Sequence, residues 1–363
     1  VEYPFSKTDI NSGRKILSMG KFITMNKVTR EFEKRFAKYL GVKYALMVNS
    51  GSSANLLALQ CLINPYRKKR LNYGDEIIIP TLCWSTSLWP IIQANLKPIF
   101  IDCDDNLLID LDKVEQHFER TVNLWHTKVL MVTHVYGRTV DMDRVMDIAK
   151  KYKLRVIEDA CEAQGAYHNG KAIGSYDIGC FSFYRNKIIS AEEGGIIVSN
   201  DEELINKARD MRSMSFGEEH NYHHKRIGFN YRCTNSQAQM VLDDMELMDF
   251  SIKTRQIICD KYNSEIPKEY QMPNNRNVVW VYDMKHPKAD EIVKRLKKRG
   301  VPARHSFKPM STQPIFNHWD VGKKAKHMSE NVFYVGINLK NNVTYLNETD
   351  SNINAVKEVL NEL

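Results

Sequence analysis

Between about residues 40 and 200, short apolar, β-branched runs alternate with amphipathic stretches, and this alternation constrains the fold more than any other feature of the chain. The runs GDEIIIP (74 to 80), KPIFID (97 to 102), KVLMVTHVYG (128 to 137), LRVIEDA (154 to 160), DIGCFSFY (177 to 184) and GGIIVSN (194 to 200) have the length and residue types of buried strands. Among them, SSANLLALQCLI, DRVMDIAKKYK and DEELINKARDMR read as helices. Alternation of this kind predicts an α/β domain with a mostly parallel sheet covered on both faces. Ligands of such sheets sit at the carboxyl ends of the strands, so the residues just after each run matter most.

Further along, SQAQMVLDDMELMDF predicts one long helix from Asn235 to about Arg255. Polar, proline-containing text (NSEIPKEYQMPNNRN, 263 to 277) then marks a boundary. VVWVYDM, ADEIVKRLKKRG and the closing INAVKEVLNEL form a smaller α+β unit. The division expected is 15–245 for the large domain and 246–363 for the small one, with residues 1–14 packing with the latter.

Composition narrows the function classes. The chain's 363 residues are 43% hydrophobic and 26% charged, as in an ordinary soluble globular protein. Seven cysteines, an odd number without a CxxC pair, argue against a disulfide framework and a cysteine zinc site, and no metal is expected. The excess of 52 Lys+Arg over 44 Asp+Glu, +8, is mostly scattered; the runs YRKKR (66 to 70) and KRLKKRG (294 to 300) are short. Solvated faces explain them, so neither nucleic acid nor membrane is expected as a partner. No apolar run approaches the ~18 residues of a spanning helix and no signal core is visible, so a cytoplasmic location is expected.

Four strand-end positions carry chemistry. In NSGSSANLLAL a strand runs through Asn49, Ser50, Gly51, Ser52 and Ser53 into a helix, where free N–H groups and the helix dipole attract an anion; an ordinary capped turn reads the same way. Glu158-Asp159 ends LRVI, as a structural pair or as a carboxylate aimed at a cationic ligand atom. Asn186-Lys187 follows DIGCFSFY, with Ser182 inside the run. A lysine there turns to solvent or, with a lowered pKa, forms Schiff bases with carbonyls. Trp84, after EIII, fills the core or stacks on a planar ring. Taken jointly, an anion cradle, a ring-stacking aromatic, a carboxylate for a ring nitrogen and a lysine amine are what pyridoxal 5'-phosphate (PLP) requires.

The ordered segments NSGSSANLLAL, GDEIIIPTLCWSTS, PIFIDCD, HVYGRTVDMD, VIEDACEAQGA, FSFYRNKIISAEEGGIIVSN and GFNYRCTNSQAQM resemble the DegT/DnrJ/StrS family of PLP-dependent sugar aminotransferases. The likeness runs from about Ile23 to Asp244, with RHSFKPMSTQPIF similar to a further family segment. It implies the aspartate-aminotransferase-like fold (PLP fold type I), with a seven-stranded mostly parallel sheet in the large domain. It also implies that Lys187 bonds the cofactor and moves the proton, that Asp159 holds the pyridine nitrogen, and that Trp84 stacks on the ring. Ser52, Ser53 and Ser182 would hold the phosphate and Glu162 would stand near the cofactor face. Asn230, in GFNYR, would reach the phosphate site of a second subunit, so a homodimer with shared active sites is implied.

Dehydratases of the same fold carry His in place of that lysine, so Lys187 points to transamination. The resemblance is greatest to perosamine and viosamine synthases, which implies L-glutamate as donor, pyridoxamine 5'-phosphate in the second half-reaction, and a nucleotide-linked 4-keto-6-deoxy hexose as acceptor. Amination at another sugar carbon, a dehydratase-like reaction that retains Lys187, and a regulatory DNA-binding protein are the alternatives. NSGSSANLLAL and WSTSLWPIIQANLKPIFID are similar to the dehydratase branch. Two departures stand out: Glu192 replaces a family glycine, and INLKNNVTYLN lacks the family's Leu-Pro segment. His134, the EEHNYHHKR stretch with His220, His223 and His224, and Arg304, His305 and Lys308 are secondary candidates near the substrate.

Overall fold

The computed structural model describes residues 7–18, 23–63, 71–121, 124–216, 222–224, 226–316, 322–337 and 345–363. The run at 66 to 70, His220, and most of INLKNNVTYLN lie outside them.

Helices α1 (Lys7–Ser18) and α2 (Lys27–Leu40) precede the alternating region. There follow β1 (Tyr44–Val48), α3 (Gly51–Ile63), β2 (Glu76–Pro80), α4 (Ser85–Gln93), β3 (Lys97–Ile101), α5 (Leu111–Arg120), β4 (Thr127–Thr133), α6 (Met142–Tyr152) and β5 (Arg155–Asp159). A hairpin, β6 (Tyr167–His168) and β7 (Lys171–Ala172), leads to β8 (Ile178–Ser182), β9 (Gly195–Ser199) and α7 (Glu202–Arg212). Asp110, Asp141 and Asp201 each cap the helix that follows, their carboxylates accepting from first-turn N–H groups.

Seven strands form one sheet in the order β1-β9-β8-β5-β4-β2-β3. Only β9 runs against the others, pairing antiparallel with β1 and β8. The sequence reading of a seven-stranded, mostly parallel sheet holds. Both faces are apolar because successive residues point to opposite sides. Met47, Ile78, Leu130, Val156, Phe181 and Ile196 enter one core, while Leu46, Ile77, Val129, Ile157, Cys180 and Ile197 enter the other. Each such side chain, fully buried, contributes on the order of 1.5–3 kcal/mol.

The single long helix expected from Asn235 is two helices, α8 (Asn235–Met245) and α9 (Met248–Glu265). The chain leaves helical geometry at Leu247 (φ −105°, ψ 5°), whose N–H closes a tight turn on the Asp244 carbonyl. Ala238, Val241 and Leu242 of α8 and Met248 at the start of α9 pack in the large-domain core, and farther along α9 Ile258, Cys259 and Tyr262 pack in a separate one. That third core lies under β10 (Val281–Lys285), α10 (Ala289–Lys298), β11 (Ala303–His305), β12 (Val332–Gly336) and α12 (Tyr345–Asn361), whose strands form an antiparallel sheet ordered β10-β12-β11, while Ala325 and Met328 of α11 (Lys323–Asn331) join the large-domain core. Helix α1 lies on α8, with Ser12 Oγ donating to Asp243 Oδ2 at 2.6 Å.

Two arginines tie the smaller sheet to the larger one. Asp283 on β10 is fully buried; its Oδ1 accepts from Arg138 Nη2 (3.1 Å) and Arg276 Nη1 (2.9 Å), and its Oδ2 forms an ion pair with Arg138 Nη1 at 2.8 Å. Burial alone would raise the Asp283 pKa, but the two guanidiniums outweigh it and hold the carboxyl below its ordinary range. Beside them Gly137 (φ 87°) approaches so closely that a Cβ would stand 2.1 Å from the Val278 carbonyl oxygen. The turn after β4 and the approach to β10 are therefore in backbone contact.

Candidate active site

Four strand ends open at the carboxyl edge of the sheet: β1 at Val48, β2 at Pro80, β5 at Asp159 and β8 at Ser182. The residues singled out by sequence follow them.

Asp159, buried at the last position of β5, accepts from Asn55 Nδ2 (2.9 Å), Ser87 Oγ (2.5 Å) and the Cys161 N–H (3.2 Å). Three donors hold it in place, and Oδ1, with one long backbone bond, keeps lone-pair capacity for a further N–H. Its neighbour Glu158 points to the other face of the strand and is spent on structure, accepting from the Gly174 and Tyr176 N–H groups at 2.7 and 2.9 Å. Of the two readings left open for this pair, Glu158 takes the structural one.

Around the first turn of α3 the backbone is crowded. The Ser53 N–H donates to Ser50 Oγ (3.1 Å), and Ser52 is exposed. A Cβ on Gly51 would meet Ser182 Cβ at 2.7 Å and Cys161 Sγ at 2.9 Å. Ser182, whose Oγ accepts from the Tyr184 N–H at 3.2 Å, therefore abuts the turn that holds Ser52 and Ser53. The neighbouring GFNYR segment meets the same turn, the Asn49 N–H donating to the Tyr231 carbonyl at 3.0 Å. Asn230 beside it is exposed and bridges Ser213.

Lys187 stands in the loop after β8, its side chain 10% exposed, and its Nζ is 3.9 Å from Glu162 Oε1. A solvent-directed lysine is ruled out. Glu162 is buried and its Oε2 accepts from the Tyr136 N–H at 3.1 Å. Burial pushes its pKa up to about 7, against the opposing pull of Lys187 and of the Tyr136 N–H. Gln164 staples the loop, donating to the Ser182 and Ile189 carbonyls (2.7 and 3.2 Å) and accepting from the Ile189 N–H (2.9 Å). Glu192, at the family's glycine position, takes φ 63°, the left-handed conformation a glycine adopts freely.

Trp84 is 56% exposed, with Phe307 its ring neighbour at 6.0 Å. It does not fill the core, and its ring is open to a planar ligand. His134, by contrast, is buried, with Nδ1 accepting from the Val140 N–H and Nε2 3.4 Å from Glu158. His305 is paired with Asp290 and His224 with the Met214 carbonyl.

Sequence reasoning missed Asn55, Ser87 and Gln164, because ordinary helix or loop positions give no sign that they face a carboxylate or a carbonyl. It also missed Trp280, 6% exposed, whose ring centroid lies 3.8 Å from Lys187 Nζ. The small crowded turn, the buried carboxylate with spare acceptor capacity, the exposed aromatic and the enclosed lysine fit PLP. Ser52, Ser53 and Ser182 would hold its phosphate, Asp159 its ring nitrogen and Trp84 its ring face.

The model of the DegT/DnrJ/EryC1/StrS aminotransferase family matches residues 5–356. The chain is 34% identical over 318 residues to a GDP-perosamine synthase of Caulobacter vibrioides, covering 84% of this chain and 81% of that one. It is 36% identical over 202 residues to a GDP-4-keto-6-deoxy-D-mannose 3-dehydratase of Yersinia pseudotuberculosis, covering 55% and 50%. Among solved structures, Helicobacter pylori PseC, an aminotransferase involved in the biosynthesis of pseudoaminic acid, shares the fold with a TM-score of 0.86 at 23% identity and full coverage of both chains.

Proposed function

We propose that this chain, which belongs to the DegT/DnrJ/EryC1/StrS aminotransferase family, moves an amino group from L-glutamate to the 4-keto carbon of a GDP-linked 4-keto-6-deoxy hexose, giving a 4-amino-4,6-dideoxy sugar. It is a PLP-dependent aminotransferase of fold type I. The observation that carries the reaction class is the enclosed Lys187 amine in the same strand-end crevice as the triply bonded Asp159. The choice of nucleotide and sugar carbon rests on likeness to the Caulobacter GDP-perosamine synthase.

Bound PLP supplies an electron sink for the carbon whose proton is removed. The protein's part is then definite. Asp159 would hold the ring nitrogen, and Asn55 and Ser87 keep the Asp159 carboxylate oriented. The N–H groups and hydroxyls at the start of α3, with Ser182, bind the phosphate and so fix the ring's position. Trp84 covers one ring face. Lys187 Nζ takes the proton from one carbon and returns it to the next as general base and acid. Glu162, with its raised pKa, stands beside that amine as a second proton-holding group.

The reading pairs two copies of the chain, Asn230 of each completing the other's phosphate site, and sets the reaction in the cytoplasm. Among the described residues no helix is long and apolar enough to cross a membrane.

A second reading, removal of the sugar 3-hydroxyl, draws on the partial likeness to the Yersinia 3-dehydratase; Lys187 argues against it. The test is to incubate the protein with PLP, 15N-labelled L-glutamate and GDP-4-keto-6-deoxymannose and to locate nitrogen by NMR. Nitrogen on C4 is expected. Nitrogen on C3, or a 3-deoxy product without nitrogen, would replace this reading by its rivals.

A further inference from the structure

Lys187 lies in the loop after β8 and Trp280 is the residue just before β10, and Trp280 touches the loop of Lys187 twice. Its indole Nε1–H donates to the Asn186 carbonyl at 2.8 Å, fixing the backbone just before the lysine. Its ring face receives the lysine amine, 3.8 Å from the centroid, well inside the roughly 6 Å within which a cation is attracted to an indole. The indole is itself held. Arg255 Nη1 donates to the Trp280 carbonyl at 2.7 Å, and Tyr136 and Tyr334 flank the ring at 6.0 and 6.3 Å between centroids. Two residues earlier, Val278 is pinned by its close approach to Gly137.

This arrangement competes with Glu162 for the amine. At 3.9 Å the carboxylate is too far for a short charge-assisted bond, which would hold the amine in one direction. A ring face holds a cation without a directional hydrogen bond. The amine keeps its protons free to exchange and its stem free to swing.

We propose that Trp280 is a positioning residue for Lys187, delivered by the small domain, which parks the amine on its ring face while its N–H fixes the Asn186 carbonyl. The inference rests on the reading of Lys187 as the proton-moving lysine. It makes docking of the small sheet a condition for a correctly held amine.

The experiment measures how fast an amine-directed acylating reagent labels Lys187, relative to the exposed Lys150, by peptide mass spectrometry. It is run on the full chain without cofactor and again with pyridoxamine 5'-phosphate, the cofactor form that leaves the amine unbonded. Trp280→Leu should raise the Lys187 rate about five- to tenfold, because both the cover and the attraction are gone. Trp280→Phe, which retains a ring face, should stay within about twofold of the parent. Should the Leu variant fail to fold, protein grown on tryptophans bearing one, two and three ring fluorines decides, since fluorine weakens the ring's attraction while preserving its shape. Labelling that rises with fluorine number supports the proposal; a flat series, or equal rates in parent and Leu variant, overturns it. Failure of the underlying reading has a different signature, namely that borohydride fixes no PLP on Lys187 of the parent protein, whatever the labelling rates.

Discussion

The amine of Lys187 rests over the indole of Trp280, and the same indole donates to the carbonyl of Asn186. One side chain at the entry to the small sheet thus contacts both the proposed catalytic residue and the backbone that carries it. Because Asp283 on the adjoining strand is gripped by Arg138 and Arg276, the small sheet's position is set by a buried charge cluster.

That cluster predicts acid sensitivity. The Asp283 carboxyl is held below its ordinary range in the folded chain, so it stabilises the fold above the unfolded-state value and loses that contribution as pH falls through the folded value. Asp283→Asn leaves two buried guanidiniums without their counter-charge and should cost about 3–5 kcal/mol at neutral pH. Urea titrations at pH 7 and pH 3 check this: the gap between parent and variant should narrow at the lower pH.

Glu162 behaves in the opposite sense. Its folded value of about 7 lies above the ordinary 4.5, so the folded chain binds the extra proton between those values and stability falls as pH rises through that window. Glu162→Gln, which cannot ionise, should flatten the decline. Melting curves of cofactor-free parent and variant from pH 4 to pH 8 are the measurement, and parallel curves would contradict the assignment.

Asn55 and Ser87 hold Asp159 and should matter through it. Asn55→Ala removes a buried donor from a carboxylate and is expected to cost about 1–3 kcal/mol in stability. It should also weaken PLP binding, read by titrating cofactor absorbance. Ser87→Ala should act in the same direction, and the double variant less than additively, because both donors serve one oxygen.

Much of this site was legible in the chain. Asp159 ends a strand, and Lys187, Trp84 and the small-residue turn at Ser52 and Ser53 each follow one; strand ends can be read from apolar runs. What could not be read is contact between elements far apart in sequence. Asn55 sits on a helix and Asp159 on a strand over a hundred positions later, and neither advertises the other. Trp280 lies in VVWVYDM, which periodicity identifies only as a buried strand. The break at Leu247 escaped as well, because the apolar pattern stays helical across it and the end of α8 and the start of α9 pack on one core.

Lys187→Ala should abolish transamination, a loss of at least about two to four orders of magnitude in kcat, while binding of added pyridoxamine 5'-phosphate persists through the phosphate turn and Asp159. A variant that turns over normally would remove Lys187 from the chemistry.

Borohydride reduction of the protein loaded with PLP, followed by peptide mapping, asks where the cofactor is joined to the chain. One phosphopyridoxyl group on Lys187 and on no other lysine is the expected result. A group on a different lysine, or none at all, would contradict it.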